Sequence, residues 1–175
     1  MNYISLALTI VAIVNAALGL LLVLTGQKHR TSKVYAINIV MILAWIFGIF
    51  FYRLSGQDSI VFWTKLLYVS ATLIASSFLY FTYIFPIHEE GFTTKKRILL
   101  SLPNILVGLL TIFGNHIILN ATVTTSGENH ITFGNLYVLY VLYILSYFLF
   151  AFFRLFVKYT KSADLFEKQI GRAHV

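Results

Sequence analysis

Cysteine is absent from the 175 residues, which excludes a disulfide framework, a thiolate zinc site and a cysteine nucleophile. Acidic residues are nearly as scarce. Asp58, Glu89, Glu90, Glu128, Asp164 and Glu167 are all there are, and none falls mid-way along a long apolar run, where a proton relay or ion path needs a carboxylate. A pump or ion-coupled transporter is therefore disfavoured. His29, His88, His116 and His130 form no pair at metal-binding helical spacing, and no glycine-rich phosphate loop occurs, so neither a catalytic constellation nor a cofactor is expected. His116 and His130 fall in neighbouring segments, but two ligands are too few for a metal. Charge itself is thin: charged residues are 11% of the chain against 59% hydrophobic, and the mean hydropathy of +0.84 leaves too little polar surface to cover a soluble globule. The lipid bilayer is the solvent this chain expects.

What is present is a succession of apolar runs. A helix needs about 20 predominantly apolar residues to cross the hydrocarbon core, and such runs lie at Ile4 to Leu24, Val34 to Tyr52, Ile60 to Phe85, Ile98 to Leu119 and Leu136 to Val157. The first is too long for a signal peptide and no basic residue precedes it. Ten of the thirteen Lys and Arg residues fall in alternate loops and the tail: Lys28, Arg30 and Lys33, then Lys95, Lys96 and Arg97, then Arg154, Lys158, Lys161 and Lys168. The intervening side holds only Arg53 and Lys65. The positive-inside rule then puts the N-terminus outside and the tail inside. The expected fold is an all-α polytopic membrane bundle, and the basic balance serves lipid headgroups rather than nucleic acid. Pro86 closes the third span, and Pro103 is placed in the first turns of the fourth, where a missing amide costs least.

A few residues stand out within this frame. Lys65, about five residues into span three, either snorkels to the outer interface or lines an outward-facing pocket beside Asp58. Asn15, Asn38 and Asn104 are amides in the bilayer that need partners on neighbouring helices. Tyr137, Tyr140, Tyr143 and Tyr147 recur on one face of span five, a stripe that locks two helices together or lines a ligand cavity. The ligand-binding candidates are accordingly Lys65, Tyr140, Tyr143, Tyr147 and Asn15. Ser70, Ala71, Ala75 and Ser77 make a small-residue face on span three that allows close helix approach. Between spans four and five, Val123-Thr124-Thr125 and His130-Ile131-Thr132-Phe133 flank Ser126-Gly127-Glu128-Asn129 and predict a β-hairpin on the outer side. The sequon Asn120-Ala121-Thr122 sits there too, and Glu89-Glu90 beside Lys95-Lys96-Arg97 reads as a solvated charged loop.

The last six residues, Ile170-Gly171-Arg172-Ala173-His174-Val175, are the translation of ATC GGA AGA GCA CAC GTC, which resembles a common sequencing-library adapter. Residues 169–175 are therefore expected to be adapter read-through, with Gln169 partly foreign, and residues 1–168 to be the native part.

The run Phe62-Trp63-Thr64-Lys65-Leu66-Leu67-Tyr68, continuing through Phe78, Phe81 and Tyr83 to Phe85-Pro86, resembles the third span of the seven-helix N-terminal sensor region of bacterial histidine kinases. Leu43-Ala44-Trp45 resembles that family's second helix, the stretch from Asn15 into Lys28-His29-Arg30 its first, and Phe133-Gly134-Asn135-Leu136-Tyr137 its approach to the fifth. The resemblance covers residues 1 to 168. It implies that five of seven helices are present, that two more spans and a cytoplasmic output domain follow beyond Lys168, and that the role is signal reception. It further implies a location in the bacterial plasma membrane and a partner signal, either a small molecule or a change in the bilayer, with a possible homodimer. The fragment itself is then not an enzyme. The competing expectation is a complete five-helix transporter or lipid-handling protein, which predicts a true stop codon near Lys168; the absence of an internal repeat counts against it.

Overall fold

In a computed structural model, residues 3–25, 30–85, 93–124 and 129–173 are described, with side chains described throughout except at Ile4, Ser5, Thr25, Arg30 and residues 161–173. Lys28, His29, Pro86, His88, Glu89, Glu90 and the turn at Ser126, Gly127 and Glu128 lie outside the described residues. The elements are α1 (Tyr3–Thr25), α2 (Arg30–Leu54), α3 (Ile60–Ile84), α4 (Thr94–Phe113), β1 (Ile118–Val123), β2 (Asn129–Phe133) and α5 (Tyr137–Ala173). All five helices contain a stretch long and apolar enough to cross a membrane.

Helix α3 is the core. It packs against α2, α4, α5 and β1, while α1 packs along α2. Of its membrane-crossing window 44% is buried, against 6% for α4 and none for α1. It is also the least hydropathic of the five, an apparent contradiction that its hydroxyls resolve. Thr64, Ser70, Thr72 and Thr82 are all buried, and each donates to a carbonyl of its own helix, Ile60, Leu66, Val69 and Leu79 respectively, at 2.7 to 2.8 Å. In a medium without water a hydroxyl must find an internal acceptor, and a carbonyl three or four residues back is always within reach. Small, internally satisfied side chains then let neighbours come close. At the α2–α3 contact a Cβ on Gly48 would sit 3.1 Å from the Leu67 backbone, so glycine is what permits the approach.

Two differences from the sequence reading concern α4. The helix starts at Thr94 rather than near Ile98, which puts Pro103 in its interior instead of its first turns. The ring deprives the Leu99 carbonyl of its usual donor four residues on, a loss transmembrane helices tolerate because neighbours re-satisfy the backbone. The helix also ends at Phe113, not Leu119. Gly114 closes it by donating its amide to the Leu110 carbonyl at 3.1 Å, and the chain then turns into β1. Ile117 and Ile118 leave the helical path because they bury completely against Tyr140, with Tyr68, Val107 and Leu110 around them.

The hairpin forms, with its first strand earlier than the β-prone run at Val123 suggested. Its antiparallel register pairs Ile118 with Phe133, Asn120 with Thr132 and Val123 with Asn129, with an irregularity between Ile118 and Asn120. It is fixed to the bundle by backbone bonds from Gly134 N to Ile117 O and from Leu136 N to His116 O, at 3.0 and 2.8 Å. Any Cβ on Gly134 would collide with the His116 carbonyl, so this crossing requires glycine. Gln57, in the α2–α3 connection, lays its amide along the outer edge of β1, donating to Ala121 O and accepting from Val123 N. Asn129 donates its side-chain amide to Tyr52 O.

Candidate functional site

Along the face of α3 between α2 and α5 run two adjoining cavities. The first, about 300 Å³, is lined by Trp45, Ile49, Leu67, Tyr68, Ala71 and Tyr140. The second, about 290 Å³, is lined by Ile42, Trp45, Ala71, Ile74, Ile144 and Phe148. Trp45 and Ala71 belong to both, so the pair forms one groove with Ala71 as floor and Trp45 as one wall. Its periodicity is helical on every side: Ile42, Trp45 and Ile49 from α2, Leu67, Ala71 and Ile74 from α3, and Tyr140, Ile144 and Phe148 from α5. Above it, an aromatic cluster joins the groove to the hairpin. Tyr68 packs at 5.4 Å from Tyr140 and 6.2 Å from Phe133, and Phe133 stacks on Tyr137 at 3.8 Å. No charged residue lines either cavity. A smaller cavity of about 260 Å³ lies between α1 and α2, walled by residues that include Thr9, Ala12, Ile46 and Phe50.

The residues singled out from sequence separate into three places. The tyrosine stripe divides between two neighbours. Tyr140 turns to α3, where its hydroxyl donates to the Tyr68 carbonyl at 2.9 Å, and it alone of the candidates lines the groove. Tyr147 turns to α4 and donates to Leu100 O at 2.8 Å. Tyr143, its ring 4.5 Å from that of Tyr147, reaches the side-chain oxygen of Asn104 at 3.4 Å. Asn38 is buried on α2. Asn15 lies apart on α1, exposed, and its amide donates within its own helix to Val11 O at 2.8 Å.

Lys65 neither snorkels free nor meets Asp58. Its ammonium donates to Gly114 O at 3.0 Å, to the Asn115 side-chain oxygen at 3.2 Å and to Ile112 O at 3.3 Å. It is a cation placed on the carbonyls at the end of α4, where the helix macrodipole is negative. The opposite end of the bundle carries a second such clasp. Lys158 of α5 donates to Thr82 O at 2.6 Å and Phe85 O at 3.2 Å, the last carbonyls of α3, while the Arg154 guanidinium lies 3.5 Å from the centre of the Tyr83 ring. Lys158 counted only as topogenic charge in the sequence, and Trp45 only as part of a resemblance. The sequence signals that fall on the groove are Tyr140 in the tyrosine stripe and Ala71 in the small-residue face of α3, and each marks a helix face without saying what it meets.

Among the described residues no cluster of three potential metal ligands occurs. The helices and the apolar groove thus define a polytopic helical membrane protein. Residues 7–172 match the family model described as the N-terminal 7TM region of histidine kinase, and the chain belongs to that family. No curated protein and no solved structure matches it.

Proposed function

We propose that this chain is the signal-reception module of a bacterial sensor histidine kinase, inserted in the plasma membrane with its N-terminus outside and its tail inside. The family match over residues 7–172 carries this reading. The orientation follows from the basic residues: Lys33, Lys95, Lys96, Arg97, Arg154 and Lys158 lie toward one end of the bundle and the hairpin at the other. In this reading the parent protein continues into two further spans and a cytoplasmic kinase, and residues 169–175 are adapter read-through. Reception means that a stimulus binds one helix arrangement better than another, since only differential binding shifts such an equilibrium. The groove around Ala71, roofed by Tyr68 and Tyr140, is the part of the bundle we assign to that role.

Sequencing the source DNA past the Lys168 codon tests the assignment. An open frame running through two spans into a kinase module is the expected result. A genuine stop codon at that point overturns it, leaving a self-contained five-helix membrane protein.

A further inference from the structure

We infer that a water molecule is held inside the membrane between Asn38 of α2 and Ser77 of α3. Asn38 lies seven residues beyond Thr31, where the membrane-crossing stretch of α2 begins, which puts it about 10 Å in at about 1.5 Å per residue. That depth is hydrocarbon. The residue is only 6% exposed, yet among the described residues none forms a hydrogen bond with its amide, and neither amide atom is wholly closed off. An amide left so in hydrocarbon is costly, because two donors and an acceptor go unanswered. It needs a partner and has a small opening for one.

The register between α2 and α3 says what stands opposite. A Cβ on Gly48 would lie 3.1 Å from the Leu67 backbone, and the rings of Tyr35 and Phe81 are 5.7 Å apart. The helices are therefore antiparallel, with facing residue numbers that add to 115 or 116, and Asn38 comes level with Ser77 and Phe78. Phe78 turns to α5, against Phe148 and Phe152. Ser77 keeps to the side of α2, in helical step with Leu67, Ile74 and Phe81. Its hydroxyl donates to Ile74 O at 3.1 Å, and the oxygen keeps its lone pairs as acceptors. Two polar groups thus share a level with no bond joining them, the arrangement that a bridging water completes. The water accepts from Asn38 Nδ2 and donates to Ser77 Oγ. An opening over 6% of one residue suits a water with polar partners on both helices, whereas a side chain from another helix needs a wider approach.

Ile37-Asn38 is the only Ile-Asn pair in the chain and Val14-Asn15 the only Val-Asn pair, so carbonyl-labelled Ile or Val together with labelled Asn identifies each amide without a substitution. The full chain is placed in lipid bilayers, and solid-state NMR reads the transfer of magnetisation from water protons to the side-chain amides. Asn15 is the dry reference, mid-way along the apolar stretch of α1 with its amide donating to Val11 O at 2.8 Å. Transfer to Asn38 and none to Asn15 is the expected result. S77A, which takes away the partner on α3, abolishes the transfer at Asn38. Equal transfer at both positions means general hydration of the bilayer interior and overturns the inference. No transfer at Asn38 overturns it as well, since the amide then pairs directly with a protein group, whether in this chain, a further span or a second copy. Transfer that survives in S77A places the water on some other partner and refutes the bridge. The comparison of Asn38 with Asn15 requires no variant to fold, and none of these outcomes bears on whether a kinase follows Lys168.

Discussion

Replacing Lys65 with methionine keeps the length of the side chain and removes its charge, which isolates what the ammonium does. It leaves Gly114 O, Ile112 O and the Asn115 side-chain oxygen without their shared donor. A hydrogen bond to a charged group contributes about 1.5–3 kcal/mol, and a cation at a helix C-terminus about 0.3–1 kcal/mol. Lys65 is partly exposed, so the lower part of the first range applies, and the acceptors regain some partners at the interface. The expected loss is about 2–3 kcal/mol, or roughly 30- to 150-fold in the folding equilibrium. Equilibrium unfolding in mixed micelles, followed by far-ultraviolet circular dichroism, measures it. K65R restores part of the loss, since its planar fork keeps the charge but not the point-like geometry that reaches three acceptors. D58N changes nothing, because Asp58 is not the partner. A loss below about 0.5 kcal/mol for K65M, or one that D58N reproduces, refutes the reasoning: the first matches a snorkelling lysine and the second an ion pair.

Three further outcomes follow. Y140F and Y147F each remove one interhelical hydroxyl and cost about 0.6 kcal/mol, the average for such bonds in a membrane, in the same unfolding assay; a loss several times larger for either means that its hydroxyl also accepts from a second partner. G134A drives a methyl group into the His116 carbonyl and costs about 1–3 kcal/mol, whereas G108A, with open space around it, is neutral or slightly stabilising through helix propensity; equal effects contradict the close crossing. In the cysteine-free chain, D58C and T93C report orientation by labelling with a membrane-impermeant maleimide. D58C is labelled in intact cells and T93C only after lysis; the reverse pattern inverts the topology. Thr93 is a cheap site to change, since its side chain makes no cap bond.

The helices were legible because a run of about 20 apolar residues has one physical meaning whatever its neighbours are. The end of α4 was not. Ile117, Ile118 and Leu119 are as apolar as a helix end, and what pulls Ile117 and Ile118 into the hairpin is burial against Tyr140, a contact 23 and 22 residues distant in sequence. Lys65 was conspicuous as a charge inside a span, but its acceptors are mostly backbone carbonyls, which every residue possesses and no sequence pattern marks. The tyrosine spacing showed a face, while the division of that face between α3 and α4 depends on where the two helices lie. The groove needed both: Trp45 and Ala71 are ordinary residues on separate helices until Gly48 allows those helices to meet.

The Lys158 clasp sits part-way along a helix that does not stop there. Helix α5 is continuous from Tyr137 to Ala173, and from Lys158 to Lys168, ahead of the stretch read as adapter, it runs on for about 15 Å at about 1.5 Å per residue. Anchored to the end of α3 at that point and to its middle through Tyr140, the helix is a lever with its fulcrum near the boundary of the membrane. A tilt of about 5° about the fulcrum carries the Lys168 end through about 1.3 Å, and Tyr140, about 27 Å along the helix on the other side, through about 2.4 Å. A rearrangement at the groove that shifts Tyr140 against Tyr68 is in this way carried past the membrane boundary by one continuous helix, at about half its size.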